Sequence, residues 1–238
     1  MASLTREDIF KGLLDLGIDG GVEVHSSLSA FGYVEGGAQA VADALLDAFP
    51  LVMVPAFSSG SGIPAPPGVR MERNGWRRHW WHHWPGYAPQ SFRPDMPANR
   101  GMGVITEEVR RREGAVRGIH PSHSFAAVGR GACEIIGAQT YEDPMAPVVE
   151  LCRRGGWILM LGTRLSSCTA LHASEAIAGR PFFQRYALVD EGRMVRVGVP
   201  GCSHGFHRFA GVLAPIKREV MIGNARVHAY PGDRKSVV

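Results

Sequence analysis

The chain has 238 residues, 45% of them hydrophobic and 20% charged, a balance that excludes disorder as the default state. No apolar run approaches the roughly 18 residues of a membrane span, and the N-terminal MASLTREDIF lacks a basic-then-apolar leader, so a cytoplasmic protein is expected. A formal net charge of +4 suits an anionic small ligand but is too weak to argue for nucleic acid.

Residues 5–16 read as an opening helix, capped by Thr5, with acids in the first turn and Ile9, Leu13 and Leu16 on one face. A short strand over Val22 to His25 follows Gly20-Gly21, and a loop of small polar residues leads to a second helix in AQAVADALLDAF, 38–49. LVMVPAF, 51–57, is continuously apolar, as a strand buried on both faces should be. Residues 58–99 break this rhythm. They hold a proline-rich stretch and then RNGWRRHWWHHWPGY, with four of the five tryptophans, and are expected to form an insertion loop that covers a site. A helix entered through glycines is predicted in 100–114, a turn and strand in HPSHSFAAVG, 120–129, and short helices in 132–139 and 144–156. WILMLGT, 157–163, is a further buried strand, TALHASEAIAG, 169–179, a helix ending at Gly179, and 182–200 a β-hairpin turning at Glu191-Gly192. The alternation of strand and helix predicts one α/β layered domain over 1–238, with a central sheet flanked by helices and made mixed by the late hairpin.

The sharpest chemical signal is Ser167-Cys168-Thr169-Ala170-Leu171-His172-Ala173-Ser174-Glu175, which follows a buried strand and opens a helix. His172 and Glu175 are three apart and share a helix face, where a carboxylate can orient an imidazole as a general base. Alone, such a pair is more often an ordinary surface contact, and its place after a buried strand is what favours a site. Cys168, four before His172, offers a nucleophile, although cysteine is also among the most commonly buried residues. The four cysteines, Cys133, Cys152, Cys168 and Cys202, form no CxxC pair, and reduced thiols are expected. His25-Ser26-Ser27 ends the first strand and Arg100-Gly101-Met102-Gly103 opens a helix; free N–H groups and hydroxyls at such turns bind phosphate or amide groups, or simply turn the chain. His120 and His123, with His79, His82 and His83, follow no defined zinc spacing, so no metal is expected. The run Arg110-Arg111-Arg112 reads as a solvated helix face. Three classes of function stay open on residues alone: an enzyme using His172 as a general base, a thiol or metal hydrolase using Cys168 or the histidines, and a binding module for nucleic acid or an anionic ligand built on the Trp/Arg/His loop.

Several segments, taken in order, narrow this choice. HSSLSAFGYVEGGAQAVADALLDAF, LVMVPAFS, PANRGMGVITEEVRR, HPSHSFAAVG, ILMLGTRLSSCTALHASE, PGCSHGFHRF and IGNA together resemble the aminoglycoside 3-N-acetyltransferase family, also called antibiotic N-acetyltransferases, over roughly residues 20–226. The resemblance implies an α/β fold distinct from the GNAT acetyltransferases, acetyl-coenzyme A as donor, and the 3-amino group of the deoxystreptamine ring of an aminoglycoside antibiotic as acceptor. It implies His172 as the base that takes the amine proton and Glu175 as its orienting carboxylate, with direct attack on the thioester. It maps the coenzyme segments onto His25, Ser26 and Ser27, onto Arg100, Gly101, Met102 and Gly103, and onto His123 and Ser124. A polycationic acceptor wants carboxylates, for which Glu35 and Asp95 are the candidates beside Glu175. The resemblance implies no metal, nucleic-acid or membrane partner. The segment RRHWWHHW departs from the acidic character of the family's acceptor region.

Overall fold

A computed structural model describes residues 3–69 and 88–232. Its strands are β1 (Val22–Ser26), β2 (Leu51–Pro55), β3 (Gly62–Ile63), β4 (Val116–Arg117), β5 (Phe125–Gly129), β6 (Trp157–Leu161), β7 (Phe183–Val189), β8 (Arg193–Val199), β9 (Arg218–Ile222) and β10 (Ala225–Pro231). Seven of them form one sheet in the order β4-β5-β2-β1-β6-β10-β9, and β3, β7 and β8 form a second. In the large sheet β1 runs parallel to β2 and to β6, and all other pairings are antiparallel.

Side-chain alternation on the central strands builds the two apolar layers. Val52, Val54, Leu159 and Leu161 point to one face and Leu51, Met53, Ile158 and Met160 to the other. The first face is covered by α1 (Arg6–Leu14), α2 (Gly37–Ala48) and α3 (Val104–Arg110). The second is covered by α4 (Ala132–Gly137), α5 (Ala146–Arg153) and α6 (Ala170–Ile177), with Leu213 at the end of α7 (Ala210–Leu213) closing one corner. Helix α1 begins as its sequence predicts: Thr5 and Asp8 form a reciprocal capping box, and Ile9 and Leu13 are fully buried. Each such side chain contributes roughly 1.5–3 kcal/mol of burial.

Three expectations need correction. The predicted late hairpin exists as β7 and β8, but it leaves the main sheet and pairs with β3, a strand hidden inside the proline-rich stretch. The main sheet is mixed for a different reason, because β10 adds antiparallel to β6 and β5 antiparallel to β2. The arginine run is not a free solvated face either: Arg110 lies across Glu107 at 2.8 Å with little exposure, Arg112 reaches Asp43 on α2 at 2.6 Å, and Arg111 alone is exposed. Ion pairing anchors α3 to its neighbours where composition suggested solvent.

The segment 58–99 departs from the sheet and returns to the same place. The Asn99 N–H donates to the Phe57 carbonyl at 2.7 Å and the Gln90 N–H to that of Gly60 at 2.8 Å, so its two ends are tied together. The tryptophans and histidines expected to form a covering loop lie within 70–87, outside the described residues. Among the described residues no helix is long and apolar enough to cross a membrane.

Candidate active site

Three parallel strands finish at one level. β1 ends at Ser26, β2 at Pro55 and β6 at Leu161, and a cavity of about 270 Å³ opens beyond them. This is where ligands collect in open α/β sheets. The chain leaves β6 through Gly162, whose φ of +66° and whose approach to Ala30, 2.2 Å for a Cβ built there, admit only glycine. The turn that follows delivers Thr163, Ser166, Ser167, Cys168 and Thr169 to the cavity wall and starts α6.

Helix α6 buries Ala170, Leu171 and Ala173 in the second apolar layer, which presents His172 to the cavity. His172 Nδ1 is 2.9 Å from Glu175 Oε2. A carboxylate only accepts, so Nδ1 carries the proton and Nε2 keeps a lone pair. Arg180 donates to the other Glu175 oxygen and fixes that carboxylate in turn. The Phe206 ring packs 4.7 Å from the imidazole. Burial draws the His172 pKa below its ordinary value, while the Glu175 hydrogen bond pulls the other way. The ring is therefore neutral at neutral pH, with a free lone pair, as a general base must be.

His123 forms the opposite wall, stacked 4.7 Å from Phe57. The residue is half-buried, and its ring is packed against protein. That desolvation, followed by His120 and His172 nearby, holds its pKa well below the ordinary value. His120 behind it is structural. Its Nδ1 accepts from the His123 N–H at 3.0 Å, so Nε2 is the protonated nitrogen and donates to the Gly198 carbonyl at 2.9 Å. Phe57, Met102 and His123 also border a second cavity of about 500 Å³, whose far side carries Ser59, Asn99 and Tyr186. A third, of about 540 Å³, shares Thr163 with the first and is edged by Arg164, Lys217, Arg226 and His228.

Cys168 does not fit the nucleophile role. It is 4% exposed, and burial, with Glu23 beyond, raises its thiol far above the ordinary value and suppresses the thiolate. All four cysteines are free. Among the described residues no group of three His, Cys, Asp or Glu is placed to hold a metal.

The aminoglycoside 3-N-acetyltransferase family model matches residues 24–232. The chain belongs to the aminoglycoside 3-N-acetyltransferase family. Family membership makes it an acetyl-coenzyme A-dependent N-acetyltransferase. It is 33% identical to aminoglycoside N(3)-acetyltransferase VIII of Streptomyces fradiae over 82% of this chain and 74% of that protein. It is 36% identical to aminoglycoside N(3)-acetyltransferase IX of Micromonospora chalcea over 74% of this chain and 63% of that protein. The crystal structure of aminoglycoside acetyltransferase AAC(3)-Xa superposes with a TM-score of 0.79 at 29% identity, over 99% of this chain and 90% of that one. The fold is that of the AAC(3) enzymes and not the GNAT fold.

Of the residues singled out in its sequence, the acetyltransferase brings His25, Ser26, Gly101, Met102, His123 and His172 to one cavity, with Glu175 directly behind His172. Ser27, Arg100 and Gly103 flank the turns that carry the lining residues, and Ser27 Oγ meets Ser29 Oγ at 3.1 Å. Ser124 sits behind the wall: its hydroxyl donates to the Ala56 carbonyl and accepts from Arg117 Nε. Glu35 stands at the start of α2 beside Ser3, and Asp95 is exposed and paired with Arg93; neither lines a described cavity. Sequence reasoning singled out Ser167 only as part of the segment leading to His172, and missed Thr163 and Ser166. Their position between a buried strand and the helix of His172 was the available signal.

Proposed function

We propose that the chain transfers the acetyl group of acetyl-coenzyme A to the 3-amino group of the deoxystreptamine ring of an aminoglycoside, with His172 as general base and Glu175 as its orienting partner. The observation that carries this reading is His172 itself, held in the cavity with Nδ1 on Glu175 and Nε2 unprotonated. The first cavity suits the acyl end of the donor. It is lined by serine and threonine hydroxyls, three imidazoles and apolar side chains, includes no Asp or Glu among the described residues, and is far smaller than the whole coenzyme. The basic edge of the third cavity, reached past Thr163, suits the phosphates of the donor. The second cavity, across His123 and Met102, is then the acceptor side.

His172 Nε2 takes a proton from the acceptor amine as its nitrogen bonds to the acetyl carbon and the carbon–sulfur bond breaks. The imidazolium is stabilised by Glu175, and it returns the proton to the departing thiolate. N–H groups of the turns after β1 and β6 are the candidates for holding negative charge on the acetyl oxygen.

The test is release of coenzyme A thiol from acetyl-coenzyme A with a panel of aminoglycosides, with NMR assignment of the acetylated amine. Acceptor-dependent release at the 3-amino group, falling at least about a hundredfold in His172→Ala, is expected. Release that survives in His172→Ala, or no turnover on any panel member, overturns the reading.

A further inference from the structure

Beneath the cavity floor lies a carboxylate that the mechanism above does not use. Glu23 is fully buried in β1, beside Met53 on β2 and Ile158 on β6, both in the second apolar layer. Neither of its oxygens has a hydrogen-bond partner. Burying a carboxylate without hydrogen-bond partners is costly, so its neighbours matter. The titratable groups packed around it are Cys152 on α5, Cys168 ahead of α6 and His25 on the same strand. Burial holds both thiols neutral, Cys152 at about 12 and Cys168 higher still. The imidazole of His25 is the one of these groups that lies within ion-pair distance of the carboxylate.

His25 Nε2 lies 3.1 Å from Glu23 Oε1, at ion-pair distance but misaligned for a hydrogen bond. The same nitrogen accepts from the Thr169 N–H at 3.3 Å. One ring nitrogen cannot donate to Glu23 and accept from Thr169 at once. Thr169 is the N-cap of α6, three residues before His172. His25 therefore holds the start of the helix that carries the base only through an unprotonated Nε2, and Glu23 lies beside that same nitrogen at the cavity His25 lines.

We propose that Glu23 is a positioning residue for acetyl transfer, acting through His25 on the N-terminus of α6 and so on the placement of His172. This rests on His172 being the base. The carboxylate sets which His25 nitrogen bears the proton. Through that choice it sets whether the Thr169 N–H is held or released, and the helix start follows.

The experiment compares wild type, Glu23→Gln and Glu23→Met, with His172→Ala as reference. It measures kcat, KM for acetyl-coenzyme A, the thermal midpoint, and the ¹⁵N shifts of the His25 ring. Glu23→Met removes the buried charge with a side chain suited to its apolar neighbours, so it keeps the test open should Glu23→Gln fold poorly. The expected result is a fall in kcat of about tenfold or more in both variants. KM stays nearly unchanged, the thermal midpoint is equal or higher, and the protonated nitrogen of His25 changes. A merely structural role predicts instead a lowered thermal midpoint with kcat of the folded fraction intact, and that result overturns the proposal. So does an unchanged His25 spectrum. If His172→Ala retains activity, the functional reading beneath fails as well; if it is inactive while both Glu23 variants keep full kcat, only the positioning role is lost.

Discussion

His172 is written into the sequence twice, once by spacing and once by what surrounds it. The HxxE spacing puts Glu175 on the same helix face, and the structure closes that contact at 2.9 Å. Because burial lowers the His172 pKa and Glu175 partly restores it, the pH dependence of kcat has a sign that can be worked out. The base works only when neutral, so activity is lost as pH falls through the His172 pKa, on the acid side of about 6.5. Glu175→Gln removes the group that favours the imidazolium, so the acid limb moves to lower pH while kcat drops. A pH–rate profile of both proteins checks this; a limb that stays in place would mean that another group titrates. Cys168 offers the contrasting case. Its thiol is buried and its thiolate suppressed, so Cys168→Ala is expected to retain most of the transfer activity, measured by the same thiol release. The serines of the turn after β6 had no comparable signal, because serine marks turns everywhere.

The elements of the two main layers were legible because their burial is periodic. The apolar runs of β2 and β6 and the stripe of α2 appear where the sequence places them, within a residue or two. β3 was not legible. It is two residues long, and its place is set by hydrogen bonds to β7, more than a hundred residues away. Nor could sequence say that β7 and β8 would leave the main sheet, since a hairpin pattern does not name its neighbours. Their turn carries a cost that can be measured. Asp190 and Glu191 both adopt positive φ, 37° and 54°, where a side chain is disfavoured. Glu191→Gly is expected to raise stability by up to about 1 kcal/mol, read as a higher urea midpoint at unchanged slope. A lower midpoint would mean that the Glu191 side chain makes a compensating interaction.

Among the described residues, four histidines are held below their ordinary pKa in the fold: His120 at about 4, His123 well below 6.5, and His172 and His228 shifted the same way. Burial is the first cause at each. The unfolded chain takes up protons near pH 6.5 that the folded chain refuses, so stability is full above that pH and declines as pH falls toward about 4. His120 alone accounts for about 3 kcal/mol across that window. Carboxylates contribute only further down, below their unfolded values near 4. Urea midpoints should therefore fall steadily between pH 6.5 and 4.5, and His120→Gln should flatten the curve. A stability profile that stays level over this range would show that these rings are protonated in the fold.

The position of β10 has a consequence for how the chain is made. The core strands β1, β2 and β6 have all been synthesised by residue 161, yet β6 gains its second neighbour only with residues 225–231. Until then a nascent chain carries an open strand edge with Leu159 and Leu161 behind it, the kind of edge that recruits other chains. A chain cut short before residue 225 would have its cavity-forming strands in place and one side of β6 unpaired, so it is expected to aggregate where the chain that includes β10 does not.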